Sequence, residues 1–174
     1  MNKILSLKKI YMMWPDAHIR SGTIIYEGVT IGKNFITEHN AIIREGNIIK
    51  DNVVVGTSTY LGPNNKIGNN VKIHTNCFIE GVTLYDNVVI APHVAFANDP
   101  YPRCKECTET IGGAHVGKNT VIGINSTILP GISIGENCLI GAGSVVTQSI
   151  PHGVVVIGNP AKVIKKITQL KHTH

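Results

Sequence analysis

From Ile19 onward an aliphatic side chain returns at every sixth position: Ile19, Ile25, Ile31, Thr37, Ile43, Ile49, Val55, Leu61, Ile67, Ile73 and Ile79, with Thr37 the one exception. One residue is then lost, and the count resumes at Leu84, Ile90 and Phe96. A second unbroken run follows through Val116, Ile122, Ile128, Ile134, Ile140 and Val146. Gly often comes next, as at 32, 56, 62, 68, 117, 123, 135 and 141. Asn recurs three residues after the aliphatic, at Asn34, Asn52, Asn64, Asn70, Asn119 and Asn137, where a corner needs left-handed backbone. A period of six is neither helical nor simple alternation. It predicts a short strand and a corner, repeated, with the aliphatic pointing inward and its immediate neighbours outward.

Three such units close a triangular coil of about 18 residues, and coils stack at the strand spacing of about 4.8 Å. The predicted fold is all-β: a left-handed parallel β-helix over residues 19–150. Residues 1–18 form a lead-in segment in which LSLKKIYMMW reads as helical. The repeat fails over NDPYPRCKECTETIGG, which predicts a projecting loop at 98–113. Residues 151–174 form a C-terminal extension. There Val163, Ile164, Ile167 and Leu170 predict a short amphipathic α-helix over 161–170.

Composition agrees. The chain has 174 residues, with 26 Ile and 17 Val against 7 Leu, plus 18 Gly and 16 Asn. These are strand and turn formers, and they exclude a helical bundle. The absence of a long apolar run and of a small-residue cleavage site predicts a cytoplasmic protein with no membrane partner. A net charge of +5 suits anionic small ligands; the charges are scattered and no aromatic platform accompanies them, so no nucleic-acid partner is expected.

In an 18-residue stack Glu38, Gly56 and His74 share an outward column, continued by Ala91, Gly123 and Gly141. Acidic and His side chains thus lie low on this line, and bare Gly or Ala above them. That shape suits a polar substrate site below a smooth channel for pantetheine. Gly123 and Ala142 would let an extended amide chain approach, and Lys162, with Lys165 and Lys166, would attract its phosphates. His93 and His115 flank the loop and are weaker candidates; His152 reads as a turn residue. Cys77 and Cys138 hold the same slot in their hexapeptides and read as packing residues. Cys104 and Cys107 form a lone CxxC, half of what zinc requires, so no metal is expected.

The segment LPGISIGENCLIGAGSVVTQSIP followed by GNPAKVI resembles the C-terminal signature of hexapeptide-repeat acyltransferases. HNAIIREGNII and VAFANDPYPR resemble more narrowly the nucleotide-sugar N-acetyltransferases that act on 3-amino sugars. The resemblance implies a homotrimer with acetyl-CoA between subunits toward the C-terminal coils and a UDP- or dTDP-linked amino sugar nearer the N-terminal ones. It implies that Asn98 lies beside the amine, with Asp99 at the same loop entry, and that His39 lies near the sugar nucleotide. Arg44 is a candidate for a nucleotide phosphate, and Arg103 for substrate or for anchoring the loop. With His74 these are the candidate catalytic and substrate-binding residues. Three other readings compete. An O-acetyltransferase on a sugar or serine hydroxyl would want a strict His base. A γ-type zinc carbonic anhydrase would want three spaced His, and a non-catalytic scaffold a groove without polar groups.

Overall fold

The computed structural model describes residues 3–99 and 112–170. Two-residue strands repeat around a triangular prism and build three parallel sheets. The first face runs from His18–Ile19 through Ile36–Thr37, Val54–Val55, Lys72–Ile73, Val89–Ile90 and Val121–Ile122 to Leu139–Ile140. The second runs from Ile24–Ile25 to Val145–Val146, and the third from Thr30–Ile31 to Ser133–Ile134. Six coils are complete, and a seventh has its first two sides. The register is that of the six-residue count: His18 stands against Ile36, Ile36 against Val54, and Lys72 against Val89 across the single deletion. The fold is the expected left-handed parallel β-helix.

The interior takes two side chains from each hexapeptide. The aliphatic column is buried, from Ile25 through Leu61 and Ile90 to Val146. The second inward position, two residues earlier, mostly holds smaller groups, among them Ala41, Val53, Val71, Cys77, Val82, Ala114 and Cys138, with Phe35 and Ile132 the large exceptions. Some are polar and serve the corners. Thr59 Oγ1 donates to the His74 carbonyl at 2.7 Å, and Asn65 Nδ2 to the Gly62 carbonyl at 2.9 Å.

Among the described residues twelve other than glycine have positive φ, between 53° and 63°, and ten are Asn. Asn tolerates this region better than other side chains because its short amide can bond locally. All six Asn corners expected from sequence are among them. Along the edge between the third and first faces, the amides of Asn34, Asn52, Asn70, Asn87, Asn119 and Asn137 form a continuous ladder, each Nδ2 donating to the next Oδ1 at 2.9–3.0 Å. Asn70→Ala puts a Cβ-bearing residue without an amide at φ 58° and breaks two rungs. It should cost about 2 kcal/mol, whereas Asn70→Gly should cost less because only the rungs are lost. Urea unfolding of the pair checks the order.

The ends depart from the repeat. A helix, α1 (Leu7–Met13), covers the first coil, with Ser6 Oγ accepting from the Lys9 amide at its start. The helix expected over 161–170 is not there. Lys162–Lys166 is a strand antiparallel to Val154–Ile157, and Ile167–Gln169 is a single 3₁₀ turn. Val154–Ile157 adds to the last coil at Leu139–Ile140, and Val163 stands against Val156 on its outer edge, with Ile164 at a bulge. An edge with unpaired amides within reach outweighs a four-residue helical pattern.

Candidate functional site

The outward column read from sequence exists. The amide of Glu38 donates to Val55 O, Gly56 to Ile73 O, His74 to Ile90 O, Ala91 to Ile122 O, Gly123 to Ile140 O and Gly141 to Val156 O, so each residue stacks on the next. This column forms the edge between the first and second faces. Glu38 is half-buried and His74 exposed. His39, one residue on, is exposed, and its Nδ1 lies 2.8 Å from Ser21 Oγ on the coil below. Gly123 and Ala142 continue the edge upward. A Cβ at Gly123 would lie 2.6 Å from the Ala142 amide, so Gly123 stacks closely on the backbone of the next coil. Lys162 is exposed on the terminal strand, opposite Ile157.

Arg44, Asn98 and Asp99 belong to the next edge, between the second and third faces. Arg44 does not present the free fork expected for a phosphate. Its Nε and Nη2 donate to the two carboxylate oxygens of Glu45 at 2.8 Å, and Nη1 donates to Tyr60 Oη at 3.1 Å. Its guanidinium lies 4.9 Å from the Tyr26 ring centroid, and Tyr60 stacks on Phe78 at 5.4 Å. A phosphate would have to displace Glu45. Asn98 is exposed and Asp99 half-buried where the chain leaves the coil after Ala97; the stack resumes at Ala114. Arg103, Cys104 and Cys107 lie outside the described residues.

His74 and Asn98 therefore flank opposite edges of the second face. One side of the triangle is six residues, so they stand up to about 20 Å apart within a chain. They cannot act on one bond from the same chain. The outward residues of the face between them are Ile24, Ile42, Tyr60, Phe78, Ala95, Thr127 and Val145, none of them charged or His. The first face is also largely aliphatic, with Ile36, Val54, Val89, Val121 and Leu139, but carries His18 and Lys72. The third carries Thr30, Ile48, Lys66, Thr83, His115 and Ser133 at the equivalent positions.

Two clefts open on the third face, and of the candidate residues only the weaker one, His115, lines either of them. The upper, about 640 Å³, is lined by Tyr85, His115, Gly117, Lys118, Glu136 and His152 among others. The lower, about 480 Å³, is lined by Lys50, Lys66, Gly68, Thr83 and Asp86, and shares Tyr85 and Lys118. Sequence reasoning missed this groove, although its signal is present. Read at the coil interval, positions 50, 68, 85, 117 and 135 give Lys, Gly, Tyr, Gly, Gly, which is a ring between two gaps. His152 keeps the turn role expected of it, its Nδ1 accepting from the Glu136 amide at 3.0 Å. Cys77 and Cys138 are buried free thiols, and burial pushes the Cys77 thiol up. Among the described residues no three His, Cys, Asp or Glu gather as a metal site.

A model of the bacterial transferase hexapeptide (six repeats) matches residues 113–148, and one of the hexapeptide repeat of succinyl-transferase matches 64–91. A Saccharomyces cerevisiae protein provisionally named an acetyltransferase is 39% identical over 96 residues, 53% of this chain and 49% of that protein. Protein CapG of Staphylococcus aureus is 65% identical over 52 residues, 30% of each. The chain thus matches about half or less of the length of these curated relatives. Among solved structures, a variant of perosamine N-acetyltransferase from Caulobacter crescentus, bound to CoA and GDP-perosamine, matches with a TM-score of 0.59 at 23% identity. That match covers 87% of this chain and 55% of the other. AntD, an N-acyltransferase from Bacillus cereus bound to dTDP and CoA, matches with a TM-score of 0.58 at 19% identity, covering 95% and 91%. At these identities the structures establish a shared fold. The resemblance read from sequence holds at the level of hexapeptide-repeat acyltransferases.

Proposed function

We propose that the chain is an acetyl-CoA-dependent N-acetyltransferase acting on the amino group of a UDP- or dTDP-linked sugar, in the cytoplasm, as a homotrimer with its site between subunits. The observation that carries the reading is the edge column: Glu38 and His74 below the small residues Gly123 and Ala142. Pantetheine is an extended chain of amides and needs bare backbone rather than side chains. The CoA-bound proteins of the same fold support the donor, and the GDP-perosamine in one and the dTDP in the other support a nucleotide-linked acceptor.

The uncharged second face supports the trimer. With three prisms parallel and this face turned to the axis, the edge bearing His74 in one chain meets the edge bearing Asn98 in the next. A pure rotation keeps height, and the two residues differ by one coil, about 5 Å. The neutral amine attacks the thioester carbonyl, the new C–N bond forms, the C–S bond breaks, and the CoA sulfur leaves with the amine's proton. Asn98 accepts a hydrogen bond from the amine and aims its lone pair. His74 assists proton removal without being indispensable, and His39 holds the nucleotide.

The test is CoA thiol release with acetyl-CoA and a panel of nucleotide-linked 3-amino and 4-amino sugars. Turnover with at least one amino sugar is expected. Turnover confined to hydroxyl acceptors would overturn the N-acetyl reading, and none with any acceptor would favour a scaffold.

A further inference from the structure

The first coil has an open apolar end, and α1 closes it. Leu5, Ile10 and Trp14 turn into the prism and are buried. The opposite side of the same short segment is also apolar. Ile4, Leu7, Tyr11, Met12 and Met13 are 57%, 57%, 43%, 76% and 49% exposed. They make up five of the thirteen large hydrophobics exposed among the described residues, gathered within ten positions. Lys3, Lys8 and Lys9 stand among them, and no acidic residue occurs before Asp16. Lys9 is paired with Glu27 at 2.7 Å. Lys8 is exposed beside the apolar surface.

Clustered exposed apolar side chains on a monomer mark an interaction surface. We propose that this end of the prism docks on an anionic phospholipid bilayer, with Met12, Leu7 and Tyr11 entering the interface and the lysines at the headgroups. Two observations choose this occupant. A second copy meeting end to end would set lysine against lysine, with no acidic side chain of the segment to pair with them. Met12 is also the most exposed large side chain of the patch, and a flexible thioether standing that far out suits a soft layer rather than a rigid groove. The expectation of no membrane partner came from the lack of a spanning segment, and no helix among the described residues is long and apolar enough to cross. Lying on a surface requires no span. In the trimer proposed above the three ends point the same way, so weak single contacts combine.

The test is co-sedimentation of the full chain with phosphatidylcholine vesicles, with and without phosphatidylglycerol. Binding is expected only to the anionic vesicles, weakening as salt is raised. Lys8→Gln should lower the partition constant by about fivefold, and Lys3→Gln with Lys8→Gln by more. Met12→Asp should abolish partitioning while leaving CoA release and the circular dichroism spectrum unchanged, since none of these residues belongs to the acyl-transfer site. No binding to anionic vesicles, or equal binding by all variants, overturns the proposal. So does a concentration-dependent doubling of mass that Met12→Asp removes, which would make the patch a self-association surface. Partitioning is read without turnover, so this result stands or falls apart from the acyltransferase reading.

Discussion

Gly56→Ala is expected to destabilise the fold by about 3 kcal/mol or more, enough to leave little folded protein at moderate urea concentration. A Cβ at this position would lie 2.5 Å from the His74 carbonyl carbon and 2.6 Å from the Thr75 amide nitrogen. Both are backbone atoms of the next coil, so no rotamer change relieves the contact. Relief needs a displacement of about 1 Å between coils. That displacement strains the bond from the Gly56 amide to Ile73 O at 2.7 Å, and with it the bond from Thr59 Oγ1 to His74 O at 2.7 Å. Gly143→Ala is the control. Its φ is +68°, but a Cβ there meets nothing within 4 Å, so only backbone strain of about 1 kcal/mol is expected. Urea unfolding followed by circular dichroism compares the two. Equal stabilities would mean that coil-to-coil spacing yields easily at this edge and that the glycine column is not set by close stacking.

Stacking is also why the fold could be read in the sequence. In a stacked coil, each hexapeptide position meets equivalent neighbours in every turn, so the constraints at Ile73 and Asn70 recur along the chain, whereas the column of Gly56 also admits Glu38, His74 and Ala91. The inward aliphatic at position 73 repeats at 55 and 90, and the left-handed corner at Asn70 repeats at Asn52 and Asn87. Tertiary packing is thereby printed as local periodicity. At the C-terminus the repeat stops, and so does that advantage. Val163, Ile164, Ile167 and Leu170 fit a helical face, yet the segment pairs with Val154–Ile157 because that strand leaves an edge there. The unpaired edge is a property of the finished stack, and nothing within residues 161–170 records it.

The candidate site was legible one edge at a time. The column through Glu38, His74 and Gly123 follows from an 18-residue offset, and its backbone ladder is in place. The partnership of Arg44 with Glu45 was not visible. Adjacent residues usually diverge, and here a corner turns both side chains to one side, where Tyr26 and Tyr60 hold the guanidinium. The groove around Tyr85 was missed because its floor is defined by side chains that are absent, at Gly68, Gly117 and Gly135, in a column offset from the one examined for His residues.

Mixing two crippled variants is expected to restore activity. His74→Asn should lose roughly ten- to a hundredfold in kcat, the lower range of what a general base contributes, because an amine can attack once neutral. Asn98→Ala should lower kcat strongly, with a milder effect on acetyl-CoA affinity, since Asn98 is assigned to the amine. Within one chain the two positions lie on opposite edges of the second face, so repair inside a chain is impossible. Between chains each site needs an intact His74 edge from one subunit and an intact Asn98 edge from the next. Random co-assembly of the two variants in equal amounts gives both halves intact at about one quarter of sites, so the mixture should show about a quarter of wild-type turnover. The measurement is CoA release by co-refolded chains against each variant refolded alone, with light scattering to establish three subunits. Activity that is merely the average of the two variants would mean that no site joins these edges, and a fully active monomer would remove the interfacial site altogether. A His74 variant with no turnover at any pH, but intact KM, would instead point to an obligatory base and revive a hydroxyl acceptor.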